Sequence, residues 1–135
     1  MTPVEEATGV PRMRVLIVDD SSLVRLYYRK ALEKAGFEVE QAINGIEAME
    51  KVLAQSFDLV IVDINMPRMD GFSFLRTLRH GAAEIAALPA LVTSTEAGQQ
   101  DIEDARIAGA NFYLVKPVSE ANLIRHVAAL TGAPA

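Results

Sequence analysis

The sequence predicts an α/β protein: a parallel β-sheet with helices on both faces. Two observations carry this. Val15-Leu16-Ile17-Val18 and Leu59-Val60-Ile61-Val62 are apolar at every position, as strands covered on both faces are. Strand and helix patterns also alternate five times along 135 residues, the length of one compact unit. In open α/β sheets ligands bind at the carboxyl ends of the strands. There the two apolar runs end in Asp19-Asp20 and in Asp63.

Met13 to Val18 reads as the first strand. Ser22 to Ala35 is helical, with Val24, Tyr27, Tyr28, Ala31, Leu32 and Ala35 on one apolar stripe, and Gly36 stops it. Asp20 or Ser21 supplies its N-cap, and Arg25, Arg29, Lys30 and Lys34 its solvated face. Glu38 to Ala42 alternates apolar and polar, as an edge strand does. Gly45 to Gln55 is helical, and Leu59 to Asp63 is the central strand. Met66-Pro67-Arg68-Met69-Asp70-Gly71 carries turn signals, with Asp70 capping a helix over Phe72 to Arg79. Pro89 to Ser94 is a strand and Ala97 to Ala108 a helix ended by Gly109. Phe112 to Val115 is the last strand and Ser119 to Leu130 the last helix. Residues 1–11 hold two prolines and no apolar period, so they read as a flexible tail. The expected organisation is one domain over residues 12–131, with 132–135 a short C-terminal tail.

Composition narrows the function. Half of the residues are hydrophobic, enough for a real core. The absence of cysteine excludes disulfides and thiolate metal sites. A net charge of -5 argues against nucleic acid as the direct partner. No apolar run approaches a membrane span, and Met1 to Val10 lack a signal-peptide core. A cytoplasmic monomer with no membrane partner is expected.

The candidate site collects at the strand ends: Asp19 and Asp20, then Asp63 with Asn65 two positions on, then Ser94-Thr95-Glu96, then Lys116-Pro117. Crowded carboxylates ionise at a cost unless a cation sits among them, and oxygen ligands with room for water suit Mg²⁺. One carboxylate as nucleophile, with a lysine and a hydroxyl to steady a trianionic group, fits phosphoryl transfer. Taken singly, each residue has a plainer reading, Asp20 as a helix cap and Lys116 as a solvated lysine. Neither His80, at a helix end, nor His126, mid-helix, has ligand-like company.

Asp19-Asp20, Asp63-Ile64-Asn65-Met66-Pro67, Met69-Asp70-Gly71, Ser94 and Lys116-Pro117, in this order and spacing, resemble the signature of two-component response-regulator receiver domains. The likeness runs over residues 12 to 131 and is nearest to the stand-alone, chemotaxis-type (CheY-like) members. It implies a flavodoxin-like, doubly wound, five-stranded parallel sheet of order 2-1-3-4-5, with helices on both faces. It implies Asp63 as phosphoacceptor. It implies Mg²⁺ held by Asp19, Asp20, Asp63 and the Asn65 backbone carbonyl, with Asp19 acting directly or through water. Lys116 would pair with the phosphoryl group, Ser94 would swing to hydrogen-bond it, and Tyr113 would be the aromatic switch. Ser94 stands where threonine is more frequent. Asn65 and Glu96 would tune the attack of water, as in members whose phosphoryl group is short-lived. The Lys116–Pro117 peptide is expected to be cis.

The implied function is a single-domain response regulator that takes a phosphoryl group from a histidine kinase or phosphotransfer protein and switches binding to a partner protein. It is a signalling switch and not an enzyme beyond its own phosphorylation and dephosphorylation. The alternatives are a phosphorelay intermediate or a receiver cut from a longer regulator. A haloacid-dehalogenase-type phosphatase also uses an aspartate after a central strand, but needs a second acid two residues on, where this chain has Asn65. A dinucleotide site is excluded because no G-x-G-x-x-G follows the first strand.

Overall fold

A computed structural model describes residues 12–66 and 70–133. Its five strands are β1 (Arg14–Val18), β2 (Glu38–Ala42), β3 (Leu59–Asp63), β4 (Ala90–Ser94) and β5 (Phe112–Val115). They form one parallel sheet of order β2-β1-β3-β4-β5. The helices are α1 (Ser22–Lys34), α2 (Gly45–Ala54), α3 (Gly71–Arg79), α4 (Gln99–Ala108) and α5 (Glu120–Thr131), with a single helical turn at Ala83–Ala86. The expected tail over residues 1–11, Pro67-Arg68-Met69 and the end of the 132–135 segment lie outside the described residues, apart from which the chain is continuous.

The apolar strands work on both faces. Leu16, Val18, Val60, Val62 and Val92 point into a core closed by α2, α3 and α4, where Phe74 and Leu78 are fully buried. Val15, Ile17, Leu59, Ile61 and Leu91 point the other way, against Leu32 of α1 and Leu123 and Val127 of α5. Each such side chain removed from water contributes about 1.5–3 kcal/mol. Since neither face is polar, periodicity could not separate the two cores, but it located the central strands.

The register sets the site. Val18 pairs with Val62, and Asp63 with Thr93, while Ser94 pairs with Val115. β1, β3, β4 and β5 therefore end side by side. At the end of β3, α3 begins so closely that a Cβ on Gly71 would lie 2.5 Å from Ile64 Cα and 2.8 Å from the Asp63 carbonyl oxygen. Only glycine fits there without moving backbone.

Several expectations are corrected. Tyr27 is 44% exposed and not part of the buried stripe, which is Tyr28, Ala31 and Leu32. Its ring stands at the helix edge, tilted against Tyr28 with centroids 5.9 Å apart. Ala35 is the exposed C-cap. α4 begins at Gln99, not Ala97, because Gly98 is its extended N-cap. The turn at Ala83–Ala86 gave no signal, since a single turn of four residues is too short to show a period. Ser21, not Asp20, caps α1, its hydroxyl accepting from Val24 N–H at 3.3 Å. Asp70 caps α3 as expected, its carboxylate accepting from Ser73 N–H at 2.8 Å.

Candidate functional site

The carboxyl ends of β1 and β3 bring three carboxylates together. One oxygen from each of Asp19, Asp20 and Asp63 lies within 4.8 Å of the others, an arrangement that could hold a metal ion. Asp19 is 1% exposed and Asp63 5%, while Asp20 is exposed. Lys116 enters from the end of β5. Its Nζ lies 2.9 Å from Asp19 Oδ2 and 3.6 Å from Asp63 Oδ2. One lysine thus serves two buried carboxylates. The Lys116–Pro117 peptide is cis.

Burial pushes the Asp63 carboxyl above its ordinary value. The Asn65 N–H, donating to Asp63 Oδ1 at 3.1 Å, and the Lys116 charge pull it back, and Asp19 and Asp20 add to the rise. Asp63 lies 3.6 Å from the Lys116 ammonium, farther than Asp19. Asp19 is better served: its Oδ1 accepts from Ser21 N–H at 2.9 Å, opposite the lysine.

On the flank, Ser94 is fully buried at the end of β4, and its Oγ accepts from Glu96 N–H at 3.0 Å. Tyr113, half-buried on β5, donates its hydroxyl to Glu96 O at 2.8 Å. Ser94 and Tyr113 therefore hold the two backbone groups of one residue, Glu96. Asn65 and Glu96 both lie exposed near the site's mouth.

Asp19, Asp20, Asp63 and Lys116 meet here, Asn65 donates its N–H to Asp63, and on the flank Ser94 and Tyr113 meet at Glu96, while three further residues border the cluster. Arg25, expected on a solvated face, turns back: Nη1 donates to Asp19 O at 2.7 Å and Nε to Gln41 Oε1 at 3.0 Å. An arginine among others at helical spacing gives no sign of this. Tyr28 reaches under the acidic cluster, and its hydroxyl is pushed up to about 12 by burial and by Asp19, with a hydrogen bond to Thr93 acting against the rise. Thr93 is fully buried on β4. Both read in the sequence as ordinary core. The Nδ1 atoms of His80 and His126 meet helix carbonyls, Arg76 O and Asn122 O, each at 2.7 Å.

A family model described as "Response regulator receiver domain" matches residues 15–128. The chain belongs to the response-regulator receiver family, whose members act as signalling switches that take phosphate from histidine kinases. It is 40% identical over 123 residues to the transcriptional regulatory protein PrrA of Mycobacterium leprae, covering 91% of this chain and 52% of that protein. It is 40% identical over 114 residues to the gliding motility regulatory protein of Myxococcus xanthus, covering 84% of this chain and 14% of the relative. The chain thus spans about half or less of these curated relatives. The solved structure of the chemotaxis protein CheY4 of Vibrio cholerae superposes with a TM-score of 0.84 at 34% identity, covering 89% of this chain and 99% of that one. Among the described residues no helix is long and apolar enough to cross a membrane.

Proposed function

We propose that this chain is a phosphorylation-driven binding switch in which Asp63 accepts the phosphoryl group. The observation that supports this most is the sharing of Lys116 by two buried carboxylates, with a third carboxylate beside them. Asp19, Asp20, Asp63 and the Asn65 carbonyl would hold Mg²⁺, whose charge would offset that of the carboxylates and the incoming phosphate. An Asp63 oxygen attacks phosphorus, the bond from phosphorus to the donor histidine nitrogen breaks, and the imidazole leaves with its electron pair. Lys116 then pairs with a phosphoryl oxygen. Asn65 and Glu96, neither bulky nor apolar, leave the site open to water and give a short-lived phosphoryl group. Residues 12–131 form the receiver domain, and the setting is the cytoplasm.

Ser94 and Tyr113 convey the state of the site. A phosphoryl oxygen draws the Ser94 hydroxyl inward as a charge-assisted donor. Glu96 N–H then loses its acceptor, the loop Thr95–Gly98 repacks, and Tyr113 loses the geometry of its bond to Glu96 O. Output runs through α4, β5 and α5, where Gln99, Glu103 and Arg125 are exposed. Delivery of phosphate uses α1. Leu23, 77% exposed, and Tyr27 border a groove of about 490 Å³ that leads over Pro117 to Lys116 and suits an apolar helix face.

Beryllofluoride with Mg²⁺ tests the coupling. Amide shifts should spread through Thr95–Ala108 and β5 in the wild type. In Ser94→Ala and Tyr113→Ala they should stay near Asp63. Equal spread in all three would overturn the hydroxyl–aromatic route.

A further inference from the structure

We infer that Arg25 is a positioning residue for the metal-binding carboxylate Asp20, an inference that rests on the Mg²⁺ reading of the site. Asp20 is exposed, and its carboxylate has no hydrogen-bond partner among the described residues. Its direction is therefore set by the backbone on either side of it. That backbone is held on several sides. Asp19 N–H donates to Ala42 O at 3.1 Å, Ser21 N–H donates to Asp19 Oδ1 at 2.9 Å, and the Ser21 hydroxyl caps α1.

The remaining group is the Asp19 carbonyl, which belongs to the same peptide plane as Asp20 N–H. Arg25 Nη1 donates to it at 2.7 Å, and Arg25 Nε is anchored on Gln41 Oε1 at 3.0 Å. Gln41 is itself tied down, since Lys51 Nζ donates to its carbonyl oxygen. One planar guanidinium thus links α1, the β1 end and the edge strand β2, and it fixes the plane from which Asp20 projects. A lysine at this position could reach one acceptor but not hold both in a fixed fork.

The geometry makes a prediction opposite in sign to simple electrostatics. Arg25 is a cation beside an acidic site, so its charge alone disfavours Mg²⁺ and its removal should tighten binding. If orientation dominates, removal loosens binding. Titrating the full chain with Mg²⁺ by calorimetry or amide shifts decides between them, with unfolding in denaturant measured in parallel. Arg25→Met should raise the Mg²⁺ dissociation constant about tenfold, as loss of a group that orients a metal ligand does. Gln41→Ala should raise it less, in the same direction, and Arg25→Lys should lie between Arg25→Met and wild type. An unchanged or lowered dissociation constant for Arg25→Met overturns the inference, even if the variant is less stable. If Arg25→Met does not fold, wild-type Mg²⁺ affinity in Gln41→Ala overturns it instead. Absence of Mg²⁺ binding by the wild type would remove the metal reading itself, and the inference with it.

Discussion

The two ends of the sheet handle charge in opposite ways. At the amino end, each of two arginines is shared among several acceptors. Arg79 donates to Gly109 O, Ala86 O, Leu88 O and Asn111 Oδ1 at 2.6–3.0 Å, closing α3 and the start of β4 and β5 into one unit. Arg14 does the same for β1 and β2, bonding Glu38 Oε2 at 3.2 Å and Gln55 Oε1 at 3.3 Å, while its N–H bonds Asp58 Oδ2 at 2.8 Å. At the carboxyl end three carboxylates crowd around one lysine. One end is built for stability. The other holds negative charge crowded around one lysine, the pattern that the proposed cation and phosphoryl group would use.

Substitutions at the two ends should therefore separate stability from chemistry. The largest expected loss of stability is Arg79→Ala. It strips several charge-assisted bonds from partly buried carbonyls and should cost about 3 kcal/mol. Phosphorylation by acetyl phosphate should survive in the folded fraction. A stable Arg79→Ala with impaired phosphorylation would blur the division between the ends. Next comes Lys116→Met, which leaves two buried carboxylates without their cation. Denaturant unfolding should show a loss of about 2 kcal/mol, below the roughly 3–5 kcal/mol of a fully buried pair because the lysine is 17% exposed. Mg²⁺ should restore more stability to this variant than to wild type.

Asp63→Asn should act in the other direction, stabilising the metal-free protein by relieving the burial and crowding of a charged carboxylate. The folded Asp63 carboxyl lies above its ordinary value of 3.8, so the unfolded chain gives up its proton first as pH rises. Stability linked to Asp63 is full below about pH 4 and is lost as pH climbs through the folded value. The gap between Asp63→Asn and wild type should thus be absent in strong acid, open above about pH 4 and shrink on adding Mg²⁺. Thermal unfolding across pH checks this. A gap that widens toward acid would contradict the sign.

At neutral pH the smallest effect is expected at Tyr28, which faces Asp19, Asp63, Tyr27 and Thr93. Its folded value of about 12 against an ordinary 10.0 means stability is retained below pH 10 and lost as pH rises toward 12. Tyr28→Phe should remove that alkaline decline and the last step of the tyrosinate absorbance titration. A last step that survives in Tyr28→Phe would assign it to another residue.

The contrast between the ends also shows what could be read from sequence. Asp19, Asp20, Asp63 and Lys116 announced themselves because charge directly after an apolar strand is conspicuous. The strand order needed the family likeness, because runs apolar on both faces say nothing of their neighbours. Arg25, Arg79 and Tyr28 stayed hidden. The first two act through long side chains that fold back on carbonyls distant in sequence, 6 to 30 positions away. Tyr28 sits on an apolar stripe and shows its polar end only once Thr93 is packed against it. Tyr27, beside it on the same pattern, goes to the surface. Helical period places a side chain within a broad arc, and the boundary between core and groove falls inside that arc.

Mapping acetyl phosphate labelling tests whether the crowded carboxyl end is a phosphoacceptor site. Wild-type protein should be labelled on Asp63 in Mg²⁺ and lose the label when the metal is chelated. Asp63→Asn should take up none, and Asp20→Ala, folded and at least as stable without metal, should take up little. Undiminished labelling of Asp63→Asn, or labelling of the wild type indifferent to Mg²⁺, would contradict the account.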